Sequence, residues 1–184
     1  MSELHDAFEA YVPRLARQRF LPRNLAVAEA SAETFPGCVL LADVSGFTPL
    51  LEQLSLEPSR GAELAQQTLN GIFGALVDRI QAWGGDILRF PGDAALALWP
   101  VAGGEELALA VRHAIHCALD AQAALERLEV RGTRLRLRIG VGAGTVWAAR
   151  VGGVEGRWEL LVRGRPFEQL ADALAQAEPG RVVL

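Results

Sequence analysis

The stretch that decides the fold is Val39-Leu40-Leu41-Ala42-Asp43-Val44-Ser45-Gly46-Phe47-Thr48. The apolar run at 39–42 predicts a short buried strand that is covered on both faces. Ser45 and Gly46 allow a tight turn, and Thr48-Pro49 is typical of a helix start. Asp43 therefore ends a strand beside the backbone N–H groups that open a helix. An acid in this position can hold a divalent cation with its phosphates, and it can equally be an ordinary helix N-cap.

A second acid lies in a predicted hairpin fifty residues downstream. Residues 84–90 and 94–99 predict two strands, and Pro91-Gly92-Asp93 predicts the turn between them. Asp93 alone would be read as an ordinary turn aspartate. However, Asp43 and Asp93 each end a strand beside a glycine, and the two strands are expected to be neighbours. Such a pair of acids is what a two-metal phosphoryl-transfer site requires.

A third pattern adds positive charge to the same region. Residues 133–141 predict a strand on which Leu135, Leu137 and Ile139 face one way and Arg134, Arg136 and Arg138 face the other. Guanidinium groups bind phosphate oxygens bidentately, so arginines near two metal-binding acids suit a polyphosphate. The alternative is a solvent-facing strand, and we favour that interpretation for Arg134.

The remaining patterns predict an α+β fold. The element order is β-α-α-β-β-α-β-β-β-α-β, with separate strands at 133–141 and 145–151. This order corresponds to a ferredoxin-like (palm-type) βαββαβ core with a C-terminal extension, whose helices pack on a mainly antiparallel sheet. Asp43 and Asp93 then lie on adjacent central strands. Residues 1–36 are expected to form an N-terminal helix and a linker that ends at Pro36-Gly37, and 37–184 the folded domain.

Composition restricts the class of partner and the location. The net charge of −4 argues against a nucleic-acid binder, and the hydrophobic fraction of 51% is ordinary for a globular chain. Cys38 and Cys117 lie in apolar segments and are interpreted as core residues in a reducing compartment. His113 and His116 are three residues apart on a predicted helix, where surface histidines are favoured over a metal pair. Neither a membrane-spanning run nor a signal peptide is visible, so we expect a cytoplasmic protein without membrane contact.

The two acid motifs together resemble a known family. Asp43-Val44-Ser45-Gly46-Phe47-Thr48, followed by Phe90-Pro91-Gly92-Asp93, is similar to the class III nucleotidyl cyclase catalytic domain. The sequences of residues 85–90 and 95–99 resemble those of the first catalytic half of soluble, bicarbonate-responsive adenylyl cyclases and their bacterial relatives. The resemblance runs from about Tyr11 to the C-terminus and makes 37–184 a cyclase-like catalytic domain.

The resemblance implies a reaction and its residues. The reaction is the conversion of ATP to cyclic AMP and pyrophosphate by a two-metal mechanism, with Asp43 and Asp93 as the catalytic acids that hold two Mg²⁺ (or Mn²⁺) ions. Arg89 matches a base-reading lysine of homodimeric members, and in the bicarbonate-responsive subgroup a bicarbonate-binding one. The implied phosphate contacts are Val44, Ser45, Gly46, Phe47, Thr48 and Arg138.

The resemblance also implies a second cyclase domain, because such sites form between two domains. The family's transition-state Asn and Arg match Glu168 and Asp172, and its base-reading acid matches Leu161. A bicarbonate-binding Arg matches Ala171. The chain thus resembles a metal-bearing first half that needs a complementary second half, or a homodimer partner. The alternative is a catalytically inactive cyclase-like module that binds nucleotide or a partner and has a regulatory role.

Overall fold

The structure of the chain is a computed structural model that describes residues 12–20, 29–55, 61–126, 129–130 and 132–184. Most of the predicted N-terminal helix, and the Thr48 side chain, lie outside the described parts. A π-helical turn at Ala16–Phe20 precedes the first strand of the sheet.

Eight strands and four α-helices make up the described fold. A 3₁₀ turn at Val154–Gly156 lies between the sixth and seventh strands. The elements in chain order are β1 Ser31–Ser45, α1 Phe47–Ser55, α2 Gly61–Ala82, β2 Asp86–Arg89, β3 Ala94–Pro100, α3 Gly104–Leu125, β4 Glu129–Val130, β5 Thr133–Arg134, β6 Arg136–Gly152, β7 Trp158–Arg163, α4 Arg165–Gln176 and β8 Arg181–Val183.

The main sheet has the strand order β2-β3-β1-β6-β7, and β8 pairs with β6. All neighbours are antiparallel except β6 and β8, which run parallel. The order β2-β3-β1-β6 is that of a ferredoxin-like core, in which the long strand β1 lies at the centre. The predicted α+β fold is therefore confirmed. Among the described helices, none is both long and apolar enough to cross a membrane.

Apolar side chains cover both faces of the sheet. One face packs against α1, α2 and α3 through residues such as Leu50, Leu76 and Ala118. The other face packs against α4 and against the N-terminal segment, whose Leu15 and Phe20 are buried. The two apolar layers hold the central strands rigidly, because interiors of this kind are close-packed.

The structure corrects the predicted linker that ended at Pro36-Gly37. Strand β1 begins at Ser31, and residues 31–36 pair with β6 alone. Pro36 fits because β3 pairing begins only at Gly37, and the Pro36 carbonyl accepts a hydrogen bond of 3.0 Å from the amide of Val101. Pro36 has no N–H to donate, and on the β3 side of β1 its position needs no donor because the pairing with β3 has not yet begun.

A second correction concerns the two strands predicted at 133–141 and 145–151. The structure has one continuous strand, β6, of 17 residues. Its glycines do not interrupt the strand but let α4 approach it. A Cβ atom added to Gly142 would lie 2.2 Å from the Pro166 carbonyl oxygen, and one on Gly140 would lie 3.1 Å from Leu174. Glycine within a strand often marks such a close approach.

Candidate active site

The two predicted acids lie at the same end of the sheet. Asp43 is near the end of β1, opposite Ala94 in β3 and Arg138 in β6. Asp93 directly precedes Ala94, and its carbonyl oxygen accepts a hydrogen bond of 3.3 Å from the Val44 amide. The structure thus places Asp43 on β1 and Asp93 in the turn directly before the adjacent strand β3, so the two strands are neighbours as the sequence predicted. Both are half-buried, so their carboxylates remain within reach of solvent.

A glycine turn connects β1 to α1 beside these acids. Gly46 has φ +90°, a conformation that favours glycine, and its carbonyl accepts the Leu50 amide at 3.4 Å. Phe47 opens α1 and is buried in the core, which fixes the direction of the helix. The amides of Phe47 and Thr48 lie in the first turn, where an α-helix offers them no internal acceptor. The Val44 amide, by contrast, already donates a hydrogen bond to the carbonyl oxygen of Asp93.

The hairpin that carries Asp93 has the predicted form. Strands β2 and β3 pair in an antiparallel manner, and the Ala94 amide donates to the Pro91 carbonyl at 3.2 Å across the turn. Gly92 has φ +65°, which closes the turn without a steric penalty. Ala94 begins a fully buried run along β3, so Asp93 is held at the mouth of a rigid strand.

Arg138 makes an ion pair with Asp43 that the sequence analysis did not predict. The Arg138 Nε donates to Asp43 Oδ2 at 2.8 Å, and a terminal guanidinium nitrogen, Nη2, donates to the same oxygen. The Arg138 side chain is 44% exposed and that of Asp43 19%. The alternation of the sequence correctly put Arg138 on the polar face. The contact itself depends on the register of β1 against β6, for which the sequence carried no marker.

Two further arginines lie next to this pair. In the register of the strands Arg136 is opposite Ser45, and Arg181 of β8 is opposite Arg138. Both are exposed. Arg134 is also exposed and lies in the short strand β5, just before β6. The polar end of the sheet therefore combines two carboxylates with a row of guanidinium groups, which raises the local attraction for polyanions.

Arg89 lies away from Asp43 and Asp93. It lies on the edge strand β2, opposite Leu96, and two strands away from Asp43. Its exposed side chain lines a separate cavity of about 590 Å³ together with Arg14 and Phe90.

A further acid that the sequence analysis did not single out, Asp86, proves to be structural. Asp86 is buried, with 6% of the residue exposed, and its carboxylate accepts hydrogen bonds from the amides of Arg14 at 2.9 Å and Leu15 at 2.7 Å. The Arg14 guanidinium in turn donates to the carbonyl oxygen of Gly84 at 3.2 Å. Asp86 therefore fastens the N-terminal segment to β2. The contact joins residues about seventy positions apart, so no local sequence pattern could have revealed it.

The donor set fits a metal that arrives with phosphates. In the part of the chain that the structure describes, no group of three or more His, Cys, Asp or Glu side chains is arranged to hold a metal. Mg²⁺ usually binds one or two carboxylates and takes its other ligands from water and substrate phosphates, which is what Asp43 and Asp93 would provide. His113 and His116 instead flank Trp83, and the His116 ring stacks on it at 5.2 Å.

The three positions that the sequence resemblance relates to the family's second-half residues carry no cation. Glu168 and Asp172 lie on α4 and are exposed, and Leu161 on β7 is 44% exposed. Helix α4 begins after Gly164, where an added Cβ would lie 2.4 Å from the Thr145 carbonyl oxygen. The backbone at the start of α4 is therefore closely packed, and the exposed side chains at 168 and 172 are acidic.

Comparison with curated proteins gives relatives that are named as adenylate cyclases. Adenylate cyclase type 10 of Rattus norvegicus is 36% identical over 157 residues, which cover 84% of this chain and 10% of that protein. The Homo sapiens protein of the same name is 35% identical over 153 residues, covering 82% and 9%. An uncharacterised protein of Mycobacterium tuberculosis is 28% identical over 203 residues, covering 100% and 35%. The chain spans about a tenth of the length of the named relatives.

Solved structures share the fold. A bacterial light-regulated adenylyl cyclase superposes with a TM-score of 0.71 at 22% identity, over 95% of this chain and 48% of that chain. The catalytic core of a rhodopsin-guanylyl cyclase with converted specificity, in complex with ATPalphaS, gives 0.65 at 19% identity, over 83% and 78%. Residues 31–163, which include both acids and Arg138, match the family described as the adenylate and guanylate cyclase catalytic domain. The chain belongs to this family.

Proposed function

We propose that this chain is the metal-binding half of a class III adenylyl cyclase, which converts ATP to cyclic AMP and pyrophosphate together with a complementary cyclase domain. The observation that carries the proposal is the position of Asp43 and Asp93 at one end of adjacent strands, beside the first turn of α1 and Arg138. The identity of 36% to a protein named as an adenylate cyclase supports the choice of ATP.

In the proposed mechanism the protein positions the triphosphate and neutralises its charge. Two Mg²⁺ or Mn²⁺ ions, when bound, lower the pKa of the ribose 3′-hydroxyl and compensate the charge of the leaving group. Asp43, near the end of β1, and Asp93, in the turn before β3, would hold these ions. The amides of Phe47 and Thr48, in the first turn of α1, would bind the phosphates together with the turn at Ser45-Gly46. The Val44 amide instead joins the two strand ends through its hydrogen bond to Asp93. Arg138 supplies a bidentate phosphate contact.

The bonds that change are those of the α-phosphorus. The 3′-oxygen of the ribose forms a new bond to it, the bond to the β-phosphate oxygen breaks, and pyrophosphate leaves with the electron pair. The proton of the 3′-hydroxyl passes to solvent. No side chain of this half is required to accept that proton, so its contribution lies in geometry and electrostatics.

A complementary domain is part of the proposal because of the charges on α4. In a symmetric homodimer, Glu168 and Asp172 would take the places of the family's Asn and Arg beside the polyphosphate. Like charge at that position opposes binding instead of stabilising the transition state. Leu161 likewise gives no hydrogen bond to a base. The second half, in our proposal, supplies these functions.

The acidic residues Glu168 and Asp172 on α4 also favour one alternative function. In that alternative the chain is a cyclase-like module without catalysis, which binds nucleotide and regulates a partner. In both cases the chain alone should make little cyclic AMP, because losing one preorganised charge-stabilising donor costs about 10²–10³-fold in rate. The two functions differ once a second half is present.

The deciding experiment mixes the purified chain with a second-half cyclase domain that keeps the Asn and Arg. We expect Mg²⁺- or Mn²⁺-dependent cyclic AMP formation that is absent from either component alone. An Asp43→Asn variant of this chain should abolish it, with the mixture otherwise identical. Strong turnover by the chain alone would contradict the half-site proposal, and nucleotide binding without turnover in any mixture would favour the regulatory module.

A further inference from the structure

We propose that the Arg138–Asp43 ion pair competes with the metal in the nucleotide-free protein, and that its opening couples metal binding to triphosphate binding. This inference rests on the proposed function, since it concerns the same acids and the same phosphate contact. It adds that Arg138 has two alternating partners, a carboxylate of its own chain and a phosphate of the substrate.

The geometry of the pair is that of a competitor. Arg138 projects from β6 directly opposite Asp43, and its Nε and Nη2 nitrogens both donate to the single oxygen Oδ2. The guanidinium therefore occupies Oδ2 and brings a positive charge next to the carboxylate. A divalent ion that binds this carboxylate through Oδ2 competes with both donors and is repelled by the charge of Arg138.

The exposure of the pair allows this exchange without unfolding. The Arg138 side chain is 44% exposed, and that of Asp43 is 19% exposed. Ion pairs with this access to solvent contribute little net stability, so a stronger ligand can replace either partner. Asp43 itself is held by a backbone paired on both sides, so the mobile member is the arginine.

The neighbouring charges decide when the pair opens. Arg181 lies opposite Arg138 on β8, and Arg136 lies two residues before it on the same face of β6. An Arg138 released from Asp43 meets these two like charges, which is unfavourable unless an anion is present. A triphosphate removes this penalty because it binds guanidinium groups strongly. The pair should thus close in the empty site and open when the polyanion arrives.

The consequence is a reciprocal coupling. A triphosphate that draws Arg138 away leaves Asp43 free for the metal, and a metal on Asp43 leaves Arg138 free for the phosphates. By thermodynamic linkage, each ligand strengthens the other by the same factor. This coupling acts in addition to the direct bonds between metal and phosphate, and it disfavours occupation of Asp43 by a metal without nucleotide.

The first test measures Mn²⁺ binding without nucleotide, with free Mn²⁺ followed by electron paramagnetic resonance. The variant Arg138→Ala should bind Mn²⁺ about threefold to tenfold more tightly than the wild type, because the competitor and one positive charge are gone. The matched control is Arg136→Ala, which removes an equal charge from the same strand and has no bond to Asp43. It should change the affinity less than about twofold. Arg138→Lys keeps the charge without the fork and should fall between wild type and Arg138→Ala.

The second test measures the opposite side of the exchange. Inorganic triphosphate is titrated into metal-free protein in the presence of EDTA, with calorimetry as the readout. Asp43→Asn should bind it more tightly than the wild type, because Arg138 loses its ionic partner. Asp93→Asn removes an equal charge at the same end of the sheet and should show the smaller gain. Thermal unfolding of all variants checks that they are folded.

The outcomes separate this inference from the proposed function. If the wild type binds Mn²⁺ and triphosphate but each variant equals its matched control, the ion pair is not a competitor, and only this inference falls. If the wild type binds neither, both fall. Tighter Mn²⁺ binding confined to the Arg138 variants, with tighter triphosphate binding greatest in Asp43→Asn, establishes the exchange.

Discussion

Single glycines control how closely α4 approaches the sheet. An alanine at Gly142 would place its Cβ 2.2 Å from the Pro166 carbonyl oxygen, so the backbone of α4 or β6 has to move. We expect Gly142→Ala to lower the free energy of unfolding by about 1–3 kcal/mol, as overpacking of a dense interior does. Guanidinium denaturation measures this change.

The matched control for this residue is Gly74, which lies within α2 and whose added Cβ would meet no atom within 4 Å. Gly74→Ala should raise the free energy of unfolding by about 0.5–1 kcal/mol, since alanine loses less backbone entropy in a helix. Equal effects of the two substitutions would show that helix–sheet spacing does not depend on Gly142.

At the scale of whole elements, the N-terminal segment is attached to β2 by one buried carboxylate. Asp86→Ala removes the acceptor of the Arg14 and Leu15 amides, and an unsatisfied buried group costs about 1–3 kcal/mol. We expect faster hydrogen exchange at these two amides and a lower melting temperature. Asp78→Ala, an exposed acid on α2, is the control and should leave both unchanged. Unaltered exchange in Asp86→Ala would mean that Leu15 and Phe20 hold the segment by apolar contact alone.

The elements also show how far the sequence could predict the structure. The apolar run before Asp43 and the turn Pro91-Gly92 predicted β1, β3 and their neighbouring ends, because these signals are local. The first residues of β1 were misassigned because Pro36 usually ends a strand, and only the absence of β3 on that side explains its tolerance. The sequence analysis divided β6 into two strands because glycines such as Gly140 and Gly142 usually indicate a break in a strand. In the structure these glycines allow α4 to pack closely against β6, and that packing could not be known from the sequence.

At the scale of the whole molecule, the two thiols should make the fold sensitive to alkali. Burial raises the pKa of Cys38 and of Cys117 from 9.0 to about 12. In the unfolded chain both thiols ionise near the ordinary value, so the unfolded state releases protons that the folded state retains. Stability should therefore fall as the pH rises from about 9 to about 12. Denaturation series over this range measure the slope, and Cys38→Ala or Cys117→Ala should make it shallower. An unchanged slope in both variants would contradict this explanation.

The sequence could predict that Asp43 and Asp93 lie close together, but it could not predict the ion pair beside them. Asp43 and Asp93 were identified because each ends a strand beside a glycine, a pattern visible in single segments. The ion pair between Asp43 and Arg138 depends on the register of β1 against β6. The position of Arg181 opposite Arg138 depends on the pairing of β8 with β6. Such contacts join residues that are distant in sequence, and single-sequence periodicity carries no information on them.

The central position of β1 has a consequence for the entropy of ligand binding. The strand is hydrogen-bonded to β3 on one side and to β6 on the other along the segment that ends in Asp43. Backbone in such a place opens only with large parts of the fold, and it is therefore ordered before any ligand arrives. The backbone of Asp43 is therefore ordered when the chain folds, and a ligand at the proposed site does not have to order it. The part of the binding free energy that would be spent on ordering β1 thus remains as affinity.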